Sequence, residues 1–420
     1  PPPAPGSAQE KQEIQELKDE AAERTVEIKG LIDKWEDQPP FRPWTELNLE
    51  LVAARPKDPV NASRGYGYVH AAIYDAVVSA YHWKSEYKRP RPKGIKTAIQ
   101  GESTPSYPSA QAAIAGAASR VISYLFPERP AGLLDSLAEE AAESRVQAGV
   151  SYRSDVEAGL ALGRAVAEKV IARAKADGSD AKWDGKRPIG PQYYRAPTGS
   201  TAEPVQPLAG SWKTWVMTSG SQFRPPPPPE YGSAKFLEEA KELIEIKNKL
   251  TAEQKRIATF WAGGEGTSLP PGVWNEVLLS YAKENDLSIP RAARVFALLN
   301  VSMSDGGIAA WDAKYAYWNP RPETAIEDLG LEPGWKPYID TPFFPAYISG
   351  HSAYSAAAAE VMSYLYPEDK GFFQKKAAEA GISRLYGGIH WRSDNEQGLA
   401  VGRKVGALVV QRAKQDGAGD

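Results

Sequence analysis

The sequence predicts an all-α protein made of two related helical bundles joined by a long proline-rich irregular segment. Three observations carry that reading. Helical periodicity runs through both halves with little of the apolar alternation a strand requires. Short motifs of the first half return in the second at a near-constant offset, and the stretch between them holds too many prolines to continue a helix. "SYLFPE" (Ser123–Glu128) recurs as "SYLYPE" (Ser363–Glu368), 240 residues on. "SRVQAGVSYRSD" (Ser144–Asp155) recurs as "SRLYGGIHWRSD" (Ser383–Asp394), and "RAKADG" (Arg173–Gly178) as "RAKQDG" (Arg412–Gly417), both 239 residues on. Near-constant spacing across three segments is the mark of an internal duplication.

The chain opens on "PPPAPGSAQE", which reads as a solvated stalk of the kind left when a signal peptide is removed, and so predicts an exported protein. Ile14, Leu17, Ala21, Ile28, Leu31 and Trp35 then form an apolar stripe, interrupted once by Arg24, which predicts one amphipathic helix. Stalk and helix make up residues 1–40. Residues 41–182, Ala-rich and helical in period, form the first bundle. Residues 183–235 contain "RPIGPQYYRAPTG", "WKTWVMTSG" and "FRPPPPPEYG", a linker or cap of a length usually tied to function. Helical period returns with "SAKFLEEAKELIEIKNKL", and residues 236–420 form the second bundle.

Composition removes several classes of function. A formal net charge of -3 and pI near 6.0 give no basic excess for nucleic acid. No apolar run approaches the roughly 18 residues of a membrane span. The absence of cysteine excludes disulfides, thiolate metal sites and thiol nucleophiles. The composition is compatible with a homo-oligomer.

The duplication also supplies an internal control for chemistry. "KYAYWNPRP" (Lys314–Pro322), "YISGHS" (Tyr347–Ser352) and Ser383–Asp394 match "KSEYKRPRP" (Lys84–Pro92), "YPSAQA" (Tyr107–Ala112) and Ser144–Asp155. The Lys, both Arg and the Asp appear in each copy, but His351 faces Gln111 and His390 faces Ser151. Lys314, Arg321 and Arg384 would repel one another if buried together unless an anion joined them. The planar guanidinium fork suits a tetrahedral oxyanion. Ser349 and Gly350 precede a helical run, "SAYSAAAAEVM", whose N-terminus would offer free N–H groups. "SDNE" has the form of a capping box and predicts a helix start at Ser393. Asp394 can then reach one imidazole nitrogen of His390, leaving the other as nucleophile or metal ligand, with His351 as general acid or base. The bland alternative for the whole set is an ion-pair network between helices.

Lys-x6-Arg-Pro, Ser-Gly-His and Ser-Arg-x5-His-x3-Asp, in this order, resemble the signature shared by vanadium-dependent haloperoxidases and type 2 phosphatidic acid phosphatases. Ile348 stands where that signature usually has Pro, which costs some loop rigidity but removes no reacting group. The double bundle resembles the bacterial haloperoxidase branch. The resemblance implies vanadate held by Lys314, Arg321, Ser349, Gly350 and Arg384, with His390 as axial ligand, Asp394 behind it and His351 exchanging the proton of hydrogen peroxide. Trp311 and Phe344 match aromatic positions of a halide pocket, although either could equally be a core aromatic. The implied reaction is halide oxidation to hypohalous acid. Phosphate can occupy the same site, so the alternatives are an acid phosphatase acting on a small phosphate ester through a phosphohistidine, and a non-catalytic oxyanion-binding protein.

Overall fold

The computed structural model describes residues 1–36, 39–55, 58–130, 132–264, 266–284 and 287–418. Among them the secondary structure is helical, with no strand. The helices are α1 (Ala8–Glu23), α2 (Val26–Trp35), α3 (Arg42–Ala53), α4 (Pro59–Tyr87), α5 (Ala110–Leu125), α6 (Leu133–Gln147), α7 (Arg153–Lys175), α8 (Ala234–Asn248), α9 (Ala252–Phe260), α10 (Leu269–Glu284), α11 (Ile289–Tyr317), α12 (Pro322–Asp328), α13 (Gly350–Leu365), α14 (Lys370–Tyr386) and α15 (Arg392–Ala413). The segment between α7 and α8 carries only two short 3-10 turns, at Ala209–Ser211 and Gly220–Phe223. Two compact units are present: residues 1–51, 68–174 and 276–297 form one, and 52–67, 175–275 and 298–420 the other.

The single amphipathic helix expected across Ile14–Trp35 is two helices. Arg24 leaves the helical region (φ -61°, ψ 103°), and Thr25 caps α2 by accepting the Ile28 N–H. The physical reason is the Arg24 guanidinium, which donates to the carbonyls of Gln147 and Lys96. The stripe shifts accordingly: Leu17, Ile32 and Trp35 are buried, whereas Ile14, Ala21, Ile28 and Leu31 are half-buried. The helix expected to start at Ser393 starts at Arg392 and is capped at Trp391, because Asp394 reaches back to accept the Trp391 N–H at 3.0 Å. Ser393 instead donates its hydroxyl to Glu239.

The duplicated unit is longer than the recurring motifs. Ser7 and Ser233 cap α1 and α8, and Thr25 and Thr251 cap α2 and α9, each with its side-chain oxygen. Trp35 donates its indole N–H to Glu140 at 2.9 Å, and Trp261 donates to Glu379 at 2.9 Å. Arg153 pairs with Glu16, as Arg392 pairs with Glu242. Helices α1–α7 therefore correspond to α8–α11 and α13–α15, with α12 as an addition of the second copy.

Within the second copy the core is set by α13 lying tight on α15. A Cβ on Gly402 would come within 2.4 Å of the Ala353 carbonyl, so only glycine permits the approach. The first copy repeats this with Gly163 against Ala113. The close approach lets the Ser349 N–H donate to the Asp394 carbonyl at 3.0 Å, which fixes the start of α13 against the start of α15.

Candidate functional site

Every site residue expected from the sequence lies in the second unit. Lys314 is in the last turn of α11 and donates to the carbonyls of Pro345 (2.8 Å) and Ala346 (3.0 Å). Arg321 is the N-cap of α12, whose first position is Pro322, a residue suited to that place because it has no N–H to satisfy. Its Nε donates to the Phe344 carbonyl (2.7 Å), and Nη1 to the Ile389 carbonyl (2.7 Å) and His390 Nε2 (3.2 Å). Segment 344–346 thus holds both cations. Arg384, in the last turn of α14, donates from Nε to the Ser383 hydroxyl (2.9 Å) and from Nη2 to the Ala258 carbonyl (3.0 Å). All three side chains are fully buried, and none has a carboxylate ion-pair partner among the described residues.

Gly388, at φ +76°, closes the turn after α14 and delivers His390 to the site. His390 Nδ1 lies 2.8 Å from Asp394 Oδ2. Arginine only donates, so His390 Nε2 is the acceptor toward Arg321 and Nδ1 carries the hydrogen toward Asp394. The lone pair of His390 is therefore on Nε2, on the side of Arg321. His351 is committed the other way: its Nε2 lies 2.7 Å from the Trp261 carbonyl, which only accepts, so Nε2 carries the hydrogen and Nδ1 carries the lone pair. Ser349 caps α13, its hydroxyl accepting the Ser352 N–H, and Gly350 is the first helical residue.

The electrostatics follow from burying like charges together. Lys314 is pushed well below its ordinary pKa by burial and then by Arg321. Burial lowers Arg321 to about 10, and burial followed by Arg321 lowers Arg384 to about 9. Both histidines lie well below the usual imidazole range, His351 through burial and then Arg384, His390 through burial and then Arg321. Burial raises Asp394 to about 7. Arg321 Nη2 and Asp394 Oδ1 are buried without a hydrogen-bond partner. Three cations, helix N–H groups and an unpartnered guanidinium nitrogen are the donor set of an oxyanion. Among the described residues no cluster of three or more His, Asp or Glu could hold a metal cation.

Trp311 and Phe344 pair with ring centroids 5.0 Å apart, and Lys314 Nζ lies 5.1 Å from the Phe344 centroid and 5.8 Å from that of Trp311. Trp311 also donates to the Val205 carbonyl at 3.2 Å, tying the site to the proline-rich segment. The sequence reading missed α9: the Ala258 and Trp261 carbonyls hold Arg384 and His351. Backbone carbonyls leave no residue signature, but "SAQEKQEIQELK" and "SAKFLEEAKELI", each followed by a capping Thr and then a Trp, could have extended the repeat to this helix.

The family model described as the VCPO second helical-bundle domain matches residues 294–374 and 371–418. The vanadium chloroperoxidase of Curvularia inaequalis is 23% identical over 410 residues, covering 77% of this chain and 65% of that protein. A non-specific acid phosphatase of Providencia stuartii is 30% identical over 183 residues, covering 40% of this chain and 65% of that protein. The chain thus spans just under two thirds of these curated relatives. The crystal structure of a bacterial vanadium-dependent iodoperoxidase superposes with a TM-score of 0.73 at 25% identity, covering 89% of this chain and 95% of that one.

Proposed function

We propose that this chain, which belongs to the superfamily of vanadium-dependent haloperoxidases and type 2 phosphatidic acid phosphatases, is a vanadium-dependent haloperoxidase. The observation that carries the reading is extent. The likeness to the iodoperoxidase runs through both bundles, whereas the match to the acid phosphatase spans 40% of the chain. The Trp311–Phe344 pair beside Lys314 places polarisable rings next to the buried cations, a setting suited to a halide.

Vanadate fits the residues present, because a buried guanidinium nitrogen without a partner and three buried cations would complement the oxygens of a tetrahedral oxyanion. When bound, it would supply the electrophilic activation of hydrogen peroxide toward a halide. Lys314, Arg321 and Arg384 hold the anion and withdraw electron density from it, in positions already fixed by carbonyl contacts, so no reorganisation is needed at the moment of reaction. The Gly350 N–H and the start of α13 add a helix-terminal donor. His390 offers Nε2 as ligand, with Asp394 holding the ring. His351 takes a proton on Nδ1 while its Nε2–H stays on Trp261.

The acid-phosphatase relative favours one second reading. On the same residues His390 Nε2 attacks phosphorus and His351 protonates the leaving oxygen. The test is peroxide- and halide-dependent halogenation of an organic acceptor after incubation with orthovanadate in phosphate-free buffer. Halogenation that phosphate suppresses is the expected result. Phosphate-ester hydrolysis inhibited by vanadate, with no halogenation, would replace the first reading with the second.

A further inference from the structure

We propose that the first copy contains a second tetrahedral-oxyanion cradle, which the native chain keeps filled with two of its own carboxylates, Glu36 and Glu102. The cradle repeats the one in the second copy contact by contact. Lys84 Nζ donates to the Pro105 carbonyl (2.5 Å), as Lys314 does to Pro345. Arg91 donates from Nε to the Thr104 carbonyl (2.8 Å) and from Nη1 to the Val150 carbonyl (3.0 Å), as Arg321 does to Phe344 and Ile389. Arg145 donates from Nε to the Ser144 hydroxyl (3.0 Å) and from Nη2 to the Ile32 carbonyl (3.5 Å), as Arg384 does to Ser383 and Ala258. Ser109 caps α5, and its N–H donates to the Asp155 carbonyl at 2.9 Å.

The departures all supply or redirect charge. Glu36 follows Trp35 and accepts from Arg145 Nη1 at 2.5 Å, whereas Ala262 follows Trp261. Glu102 stands two residues before Thr104 and pairs with Arg91 at 3.2 Å, whereas Pro342 stands two residues before Phe344. Asp155 Oδ1, whose counterpart on Asp394 has no partner, takes Arg89 at 2.7 Å. Two carboxylates against Lys84, Arg91 and Arg145 carry the charge that a doubly ionised phosphate would bring. The Glu36 side chain is 31% exposed against 1% for Arg145, so it closes the solvent side of that guanidinium, while Glu102, 24% exposed, covers the partly exposed Arg91. With Gln111 and Ser151 in place of the histidines, the cradle would bind an oxyanion without turning it over. The inference does not depend on the activity assigned to the second copy.

The test is the number of inorganic phosphate ions bound per chain, by equilibrium dialysis, in the native protein and in Glu36→Ala/Glu102→Ala. One further phosphate is expected in the variant, and Arg145→Ala added to it should weaken that ion at least about tenfold. An unchanged count in a folded variant overturns the proposal, as does an extra ion that survives Arg145→Ala. Should the Ala variant be too unstable, Glu36→Gln/Glu102→Gln keeps the side-chain volume and should show the same increment. In either variant phosphate should raise the melting temperature more than in the native chain, and equal shifts would count against the proposal.

Discussion

His390 and His351 carry the same imidazole ring committed through different nitrogens, and that difference predicts different losses. Removing His390 takes away the imidazole lone pair that faces Arg321, so His390→Ala should lose both vanadate affinity and turnover. Removing His351 takes away the proposed proton carrier, so His351→Ala should still bind vanadate, weakened by roughly 1–3 kcal/mol, while turnover falls about a hundredfold or more. Vanadate titration and rate measurements on each variant check this, and the reverse pattern would exchange the two roles. The cations make a second prediction. Arg384 sits at about 9 and Lys314 well below its usual value, and a bound dianion raises both. Binding therefore takes up protons wherever the free site has lost them, so affinity is fully present below these values and falls as pH rises through them. Sulfate, which stays doubly charged over this range, should bind more weakly by up to about tenfold per pH unit above pH ~9 for each proton lost. A sulfate affinity flat across that window would show that the cations stay charged without the anion.

At the scale of elements, α9 does for the site what the motifs do not. The carbonyls of Ala258 and of its C-cap Trp261 orient Arg384 and His351, and Trp261 is itself held by Glu379 on α14. Glu379→Ala should then lower turnover several-fold and leave phosphate affinity within about twofold, at a stability cost of about 1 kcal/mol for one lost hydrogen bond. Glu379→Gln, which can still accept from the indole, should restore turnover; equal losses in both variants would deny Glu379 this positioning role. The helices were legible because apolar period and Pro punctuation act locally. The start of α13 was legible for the same reason, since a Ser before a small-residue run is a cap whatever surrounds it. The break at Arg24 was not, because it depends on carbonyls 72 and 123 residues away. The α15 cap was misplaced because two side chains competed for one helix end, and the sequence does not reveal that Glu239 claims Ser393.

At the scale of the whole molecule, duplication followed by divergence has left two cradles with one backbone plan and different charge balance. The chemistry-bearing residues were legible in the sequence because the recurring motifs aligned them, and the two lost histidines marked which copy had changed. What filled the changed copy was not legible, because Glu36 and Glu102 lie outside the motifs and reach Arg145 and Arg91 only through the fold. Among the described residues of the second copy no carboxylate pairs with Lys314, Arg321 or Arg384, so these buried cations should order further when an anion is supplied, by mass action on the folded state. Amide hydrogen exchange with and without phosphate reads this along the chain. Protection is expected to rise in residues 252–261, 311–324, 344–352 and 384–394, where the backbone holds the cations or the histidines. Their counterparts, 84–92, 104–112 and 144–155, should not change, since Glu36 and Glu102 already occupy the guanidinium forks that phosphate would need. Phosphate-dependent protection of equal size in both sets would mean that these carboxylates do not exclude the ion, and that the histidines are the only functional difference between the copies.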